Sequence, residues 1–309
     1  KIKLTSLNSM IKINDINSQE GRIFLITGAN SGLGYESSKM LIRKGATVIM
    51  CCRDLAKGEK AKQELKKFNY SGKIELIEFD LSDLVNIKKA SKLIKNKFEH
   101  LDVLINNAGI MAPPKTYSKQ GFEIQFAVNH LAHMYLTLEL LPMLEEGNNS
   151  RVVTVTSGVQ YFGKINWDDL HGNLKYDRWA SYAQSKLANV MFGLELNFKL
   201  KKTKSKVSSL LAHPGLARTN LQPKSVKANN SWQEEFAYKL MDPMFQSAEM
   251  GALPQITAAT LPSAKGGEQY GPRFNFRGLP KICRNAPQAL EEISRQKLWN
   301  ISESLIKEI

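Results

Sequence analysis

The stretch that decides the fold spans residues 22–34 and reads Arg22-Ile23-Phe24-Leu25-Ile26-Thr27-Gly28-Ala29-Asn30-Ser31-Gly32-Leu33-Gly34. An apolar run of strand length ends in three glycines, and an amphipathic stretch of helix length follows at once. Gly28 permits a tight turn, Gly32 lets the backbone approach a pyrophosphate, and Gly34 allows close packing of helix on strand. Amides at the start of that helix would face the phosphates. The sequence therefore predicts a nucleotide site, with contacts from Gly28, Asn30, Ser31, Gly32, Leu33 and Gly34.

The same strand-then-helix rhythm continues along the chain. The strand-like runs are Arg22–Thr27, Thr47–Cys52, Ile74–Phe79, Val103–Asn106, Arg151–Thr156 and Val207–Ala212. The amphipathic stretches between them include Leu33–Arg43, Ala56–Phe68, Asn86–Phe98 and Phe122–Leu144. Nearly continuous apolar strands separated by helices indicate a parallel sheet covered on both faces. We therefore predict an α/β, doubly wound Rossmann fold with a seven-stranded, mostly parallel sheet.

After Ala212 the regular alternation of strand-like and helix-like stretches ends. Residues 214–246 contain three prolines and no clear strand, which predicts a substrate or lid loop. A helix at Ser247–Thr260, a last strand near Gly267–Tyr270 and a C-terminal helix over residues 287–305 are expected to complete the chain. No linker, repeat or low-complexity segment is evident, so we predict an N-terminal extension over 1–20 and one domain over 21–309.

Composition narrows the class of protein. The 309 residues carry a net charge of +14, with 42% hydrophobic and 23% charged residues, which is a globular balance. The lysines fall mostly on predicted helix faces and are not interleaved with aromatic residues, so nucleic-acid binding is disfavoured. No run reaches the ~18 apolar residues of a membrane span. The three cysteines suit a reducing compartment, and we expect a soluble, cytoplasmic protein. His130 and His133 lack a third ligand, so no metal site is predicted.

The end of the second strand bears on the choice of cofactor. There Arg53 precedes Asp54, in a fold where the group after strand two meets the adenosine ribose. An acid would bond the 2′-hydroxyl of NAD, whereas an arginine accepts the 2′-phosphate of NADP. Asp54 is expected to cap the next helix instead, with Lys57 able to assist Arg53. We therefore predict NADP(H), with NAD(H) less favoured.

These motifs resemble those of the classical short-chain dehydrogenases/reductases, in order from about residue 21 to 219. The matching stretches are Gly28-xxx-Gly32-x-Gly34, Asp80-Leu81, Asn106-Asn107-Ala108-Gly109, Phe126-Ala127-Val128-Asn129-His130, Val155-Thr156-Ser157, Tyr182-Ala183-Gln184-Ser185-Lys186 and Pro214-Gly215 followed by Thr219. The resemblance implies that Asp80 and Leu81 flank the adenine. It also implies that Asn107, Ala108 and Gly109 line the cofactor. Pro214, Gly215 and Thr219 would close over the nicotinamide. More narrowly, the motifs resemble the retinol-dehydrogenase-like and protochlorophyllide-reductase-like branch.

The resemblance also implies a catalytic set of Asn129, Ser157, Tyr182 and Lys186. Tyr182 and Lys186 are four residues apart, so on a helix they share one face. An ammonium there would favour the phenolate and bring the pKa of the tyrosine towards working pH. Lys186 would also hold the nicotinamide ribose, Ser157 the substrate oxygen, and Asn129 a water that reloads the proton. Tyr35-xxx-Lys39 repeats the spacing, but its helix leads away from the nicotinamide.

The function expected is hydride transfer between NADP(H) and a carbonyl or alcohol, with a small-molecule partner. Met111, Val159 and Tyr161 are expected to line an apolar pocket suited to a lipophilic aldehyde or ketone. Two alternatives remain open at this point: a light-dependent reductase of protochlorophyllide-like pigments, and a non-catalytic NADP(H)-binding protein. A homo-oligomer through helix faces is also compatible with the resemblance.

Overall fold

A computed structural model describes residues 15–218 and 244–307. At its centre is an eight-stranded sheet with the order β3-β2-β1-β4-β5-β6-β7-β8. The strands are β1 (Ile23–Thr27), β2 (Thr47–Cys52), β3 (Lys73–Glu78), β4 (Val103–Asn106), β5 (Arg151–Val155), β6 (Ser208–Ala212), β7 (Gln269–Pro272) and β8 (Pro280–Cys283). The first seven run parallel, and β8 pairs antiparallel with β7. The predicted Rossmann fold is confirmed.

Helices cover both faces of the sheet. They are α1 (Gly32–Arg43), α2 (Leu55–Lys66), α3 (Leu84–Lys97), α4 (Ile124–Phe126), α5 (Ala132–Glu146), α6 (Arg178–Lys202), α7 (Ala248–Thr260) and α8 (Glu292–Lys307). A π-helical turn, Ala127–Leu131, joins α4 to α5. On one face α1, α2 and α7 bury residues such as Leu41 and Ile256, and on the other α3, α5, α6 and α8 bury residues such as Leu136 and Leu187.

The sheet has one strand more than the seven predicted. β8 is short, begins with a proline and leaves three of its four residues partly or fully exposed, so it shows neither an apolar run nor alternation. The predicted C-terminal helix over 287–305 is also divided, into a 3₁₀ turn at Pro287–Ala289 and α8. Of the predicted loop 214–246, residues 219–243 lie outside the described residues, as do 1–14 of the N-terminal extension.

The order of the strands places the predicted site. β1 lies between β2 and β4, so the chain winds in opposite directions on its two sides. Ligands of such sheets bind outside the carboxyl ends of the strands at this reversal. Those ends are Thr27, Asn106, Val155 and Ala212, and the predicted motifs follow them directly.

The helices of the described ranges were also compared with what a bilayer requires. None of them combines sufficient length with sufficient apolar character to cross a membrane.

Candidate active site

The glycine turn between β1 and α1 forms one end of the site. Gly28 and Gly32 have φ angles of +66° and +55°, in the left-handed region that favours glycine. A Cβ added to Gly34 would overlap the carbonyl oxygen of Gly28 and reach within 2.7 Å of the Asn107 amide nitrogen. The close packing predicted at Gly34 is therefore confirmed. Ser31 occupies the N-cap of α1 without a side-chain capping bond, so its hydroxyl does not occupy the first amides of the helix.

The ends of β1 and β4 are tied together by Thr27. Its hydroxyl oxygen accepts hydrogen bonds from the amides of Asn107 and Ala108, at 3.0 and 2.9 Å. The Asn107 side chain in turn donates to the Thr27 carbonyl at 2.7 Å, and its oxygen accepts from Gln255 of α7 at 3.1 Å. These bonds fix Asn107 and Ala108 beside the glycine turn. The roles of Thr27 and Gln255 in holding this segment could not be predicted from the sequence, because both residues act through tertiary contacts.

The residues after β2 are those predicted to meet the adenosine ribose. Asp54 caps α2 by accepting from the Lys57 amide at 3.0 Å, and its carboxylate pairs with the Lys57 ammonium at 2.7 Å. These contacts lower the pKa of Asp54. The predicted cap is confirmed, and Lys57 is engaged with Asp54. Arg53 precedes them and is exposed at the sheet edge, where its guanidinium is accessible.

Asp80 and Leu81 follow β3 at the same edge. The Asp80 carboxylate accepts from the amide and hydroxyl of Ser82, at 2.9 and 2.7 Å, while Leu81 is 8% exposed and belongs to the core. The turn is therefore ordered by its own side chains, and it follows β3, which pairs with β2, the strand that ends one residue before Arg53.

Four side chains converge at the other end of the site. Tyr182 and Lys186, both on α6, are only 5% and 4% exposed, and the Lys186 Nζ lies 5.9 Å from the centre of the tyrosine ring. Ser157 lies two residues after the end of β5, and its hydroxyl acts on the Tyr182 phenol to lower the pKa of that group. Lys186 donates to the Val155 carbonyl at 3.4 Å. A Cβ on Gly109 would lie 3.1 Å from Asn129 Oδ1 and 3.3 Å from the Lys186 Nζ, so these groups share one space.

Asn129 sits in the middle of the π-helical turn. Its Oδ1 accepts from the Ile110 amide at 2.8 Å, and its Nδ2 donates to the Ile110 carbonyl and to the Ser185 hydroxyl at 3.0 and 2.9 Å. The side chain thereby clamps the segment after Gly109 to α6. π turns within helices occur frequently at functional sites. This π-helical turn could not be predicted from the sequence, because the pattern of apolar residues through it is that of an ordinary α-helix.

Burial sets the protonation of the central pair. Desolvation raises the pKa of Tyr182 to about 12, with the Ser157 hydrogen bond acting in the opposite direction. Desolvation also lowers the pKa of Lys186 to about 8. The sequence-based expectation was that a neighbouring ammonium would lower the pKa of the tyrosine. Instead, burial has the largest effect on the pKa of Tyr182, and the phenol of the protein without a bound cofactor is protonated at neutral pH.

Pro214 and Gly215 follow β6 beside this cluster. Gly215 has a φ of +66°, and the Pro214 carbonyl accepts from the Gln246 side chain at 2.7 Å. A bridge between Ala217 and Gln246 continues the pairing. The structure thus places Pro214 and Gly215 just after the carboxyl end of β6, whereas the predicted contact Thr219 lies outside the described residues.

The other residues considered from sequence are placed away from the reaction. Lys39 of the Tyr35-xxx-Lys39 pair lies over the ring of Phe68, between α1 and the end of α2. His130 is buried and hydrogen-bonds Ser302 of α8 at 2.8 Å. Cys51 and Cys52 are buried in β2, whereas Cys283 of β8 is only partly buried.

Together, the sheet order, the glycine turn and the buried cluster define an oxidoreductase built on a doubly wound α/β fold. The chain belongs to the short chain dehydrogenase family, whose family model matches residues 22–230. Retinol dehydrogenase 14 of Homo sapiens is 38% identical over 307 residues, covering 93% of this chain and 86% of that protein. Retinol dehydrogenase 12 of Bos taurus is 35% identical over 286 residues, with the same coverage. The predicted retinol-dehydrogenase-like branch is confirmed.

Solved structures agree with this assignment. An uncharacterized protein from Mycobacterium paratuberculosis superposes with a TM-score of 0.80 at 37% identity, covering 97% of this chain and 98% of that chain. RhlG of Pseudomonas aeruginosa, solved in complex with NADP, superposes with a TM-score of 0.65 at 23% identity. It covers 82% of this chain and 95% of its own, and at that identity the likeness shows the fold alone.

Proposed function

We propose that this protein is an NADP(H)-dependent oxidoreductase that interconverts a lipophilic carbonyl compound and its alcohol. The observation that carries the proposal is the buried Tyr182–Lys186 pair with the half-buried Ser157 beside it, at the same sheet edge as the glycine turn. A bound nicotinamide dinucleotide would supply or take up the hydride. The residues of the chain would bind it, orient it and move the proton.

The glycine turn fits a dinucleotide on its own geometry. Left-handed glycines and the uncapped start of α1 leave backbone amides directed at the place of a pyrophosphate. Gly28, Asn30, Ser31, Gly32, Leu33 and Gly34 would hold the phosphates. Arg53 would hold a 2′-phosphate, Asp80 and Leu81 the adenine side, and Asn107, Ala108 and Gly109 the central part. Pro214, Gly215 and Thr219 would close the nicotinamide end.

The proton would pass through Tyr182. In reduction its phenol oxygen Oη donates a proton to the substrate oxygen, and in oxidation the same atom accepts it. A pKa raised to about 12 keeps this proton in place at neutral pH, which suits the reductive direction. The Ser157 hydroxyl would hydrogen-bond the substrate oxygen as charge develops there. Lys186 would hold the nicotinamide ribose, with Asn129 beside it to position a proton-carrying water.

The substrate class rests on the pocket and on the relatives. Met111, two residues after Gly109, and Val159 and Tyr161, in the 3₁₀ turn after Ser157, are half-buried, and we expect them to form an apolar lining. The curated relatives are named retinol dehydrogenases, which supports a long, apolar alcohol or aldehyde. We therefore place lipophilic aldehydes and ketones ahead of polar sugars.

The test is NADPH oxidation, in darkness, against a panel of retinoids, aliphatic aldehydes, quinones and ketosteroids, with NADH as the control cofactor. Tyr182→Phe should bind NADPH as the parent does, because the ring remains, but should lose turnover, because the proton donor is gone. Turnover retained by Tyr182→Phe would contradict the mechanism. Activity that appears only under illumination would favour the pigment reductase instead.

A further inference from the structure

His133, on the first turn of α5, connects the two ends of the site. Its Nε2 lies 2.9 Å from the Thr27 hydroxyl, which holds the amides of Asn107 and Ala108. Its Nδ1 lies 3.1 Å from the backbone carbonyl oxygen of Asn129, in the π-helical turn. The ring is 1% exposed. One imidazole thus touches both the residue that orders the glycine-turn side and the residue that borders Lys186.

The partners determine which ring nitrogen carries the proton. A carbonyl oxygen can only accept, so Nδ1 must donate to Asn129. The Thr27 oxygen already accepts from two backbone amides, so its own proton is free to be donated to Nε2. Every group in the chain Ala108–Thr27–His133–Asn129 is then satisfied with a neutral ring. A second proton on the ring would leave Nε2 and Thr27 facing each other as donors.

The surroundings keep the ring in this form. Burial, together with the nearby Lys186 charge, lowers the pKa of His133 to about 4, while the bond to Asn129 acts the other way. The ring is therefore neutral throughout the physiological range, and its donor–acceptor polarity is fixed.

We propose that His133 is a positioning residue that couples the dinucleotide cradle at Thr27 to the active-site turn at Asn129. Through its Nε2 it holds Thr27 and hence the backbone of Asn107 and Ala108 against the glycine turn. Through its Nδ1 it holds the π turn that presents Asn129 to Gly109 and Lys186. The inference rests on the proposed function, because it assigns His133 to the alignment of those two regions.

The two bonds can be removed one at a time. His133→Asn retains an amide near the position of Nδ1 and loses the acceptor for Thr27. His133→Gln retains an oxygen near the position of Nε2 and loses the donor to Asn129. Each variant is examined by NADPH fluorescence titration, by kcat at saturating NADPH, and by thermal unfolding.

A split between binding and turnover is expected. His133→Asn should weaken NADPH binding about ten-fold with kcat nearly unchanged, and His133→Gln should lower kcat about ten-fold with NADPH binding nearly unchanged, as loss of one buried hydrogen bond implies. His130→Asn is the matched control, because it breaks the bond to Ser302 and should lower only the melting temperature.

The proposal is overturned if both His133 variants keep the parent Kd and kcat, or if both change the two quantities in the same proportion. Should neither variant fold, Thr27→Val approaches the same bond from the other side. Like His133→Asn, it should weaken NADPH binding about ten-fold, and an unchanged Kd would overturn the coupling. A parent protein that binds no NADPH at all would instead refute the proposed function.

Discussion

Lys186 is an ammonium group enclosed by protein, and its only hydrogen bond to the described part of the chain is a long one to the Val155 carbonyl. A pKa lowered by burial from 10.5 to about 8 means that the folded state disfavours its charged form. This unfavourable contribution is complete below pH 8, diminishes as the pH rises, and is absent above the pKa of the unfolded chain. The protein thus keeps a destabilising charge at the place where the proposed chemistry requires one.

Lys186→Met is therefore expected to stabilise the fold while abolishing turnover. The gain in the free energy of unfolding at pH 7 should approach about 3 kcal/mol, the equivalent of the lowered pKa. It should shrink as the pH is raised from 8 to 10.5. Denaturant unfolding across this range measures it, with Lys201→Met, an exposed position on the same helix, as control. A destabilised Lys186→Met protein would show that the charge is compensated.

Arg53 is expected to decide between the two dinucleotides. Arg53→Ala removes the exposed guanidinium after β2, and a charge-assisted contact of this kind contributes about 1.5–3 kcal/mol. NADPH binding should weaken about ten- to a hundred-fold, whereas NADH binding should be unchanged. Fluorescence titration with both cofactors measures the difference, and Lys60→Ala on the exposed face of α2 serves as control. An equal loss for both cofactors would refute the assignment of Arg53 to the 2′-phosphate.

Helix α6 carries Tyr182 and Lys186 within its first three turns, so its start matters for the site. Asp177 caps it by accepting from the amides of Trp179 and Ala180, at 2.9 and 2.7 Å. These bonds satisfy two of the amides that a helix start leaves free. The orientation of the tyrosine therefore depends on a cap located only five residues before it.

Asp177→Ala should lower the free energy of unfolding by about 1 kcal/mol and reduce kcat several-fold, because the first turn of α6 frays. Asp83→Ala removes the equivalent cap from α3, together with a contact to Gln120. It should cost at least as much stability but leave kcat intact. Thermal unfolding and steady-state kinetics on the two variants make the comparison. Equal effects on kcat would mean that the cap acts only through global stability.

The helices and strands differ in how well they could be predicted from the sequence. The strands β1, β2, β4, β5 and β6 could be predicted because each is a largely buried run followed by a turn signal, and β3 because apolar and charged residues alternate along part of it. Ser157, Tyr182 and Lys186 were implied by the resemblance of their motifs to those of the short-chain dehydrogenases/reductases. The π turn could not be predicted, because it depends on the hydrogen bonds between Asn129 and Ile110. Strand β8 could not be predicted either, because it forms only by pairing with β7. The raised pKa of Tyr182 was missed because burial is a tertiary property.

For the molecule as a whole, neutral histidines set the response to acid. Burial lowers the pKa of His130 to about 3, and that of His133 and of His213 to about 4. The unfolded chain takes up these protons near pH 6.5, before the folded protein does. Folding is therefore favoured above that pH, and the benefit is lost as the pH falls from about 6.5 towards 4.

His213→Leu isolates one of these contributions. Within the described ranges neither ring nitrogen of His213 has a hydrogen-bond partner, so the substitution breaks no such bond. The slope of the free energy of unfolding against pH, between 6 and 4.5, should fall by about 1.4 kcal/mol per unit. Urea unfolding at several pH values gives the slope. At pH 8 both proteins should show the same pH dependence, and an unchanged slope in acid would contradict the prediction.

The antiparallel strand β8 has a consequence for how molecules meet one another. It lies at the border of the sheet, where it begins with Pro280, which has no amide hydrogen, and continues with the cationic, exposed Lys281. A strand from another molecule would pair poorly with this edge, because Pro280 lacks an amide donor and Lys281 carries an exposed positive charge. Both features are known to discourage edge-to-edge pairing of sheets. Removing residues 279–283 would expose the edge of β7, and we expect the shortened protein to aggregate into fibrils through this edge.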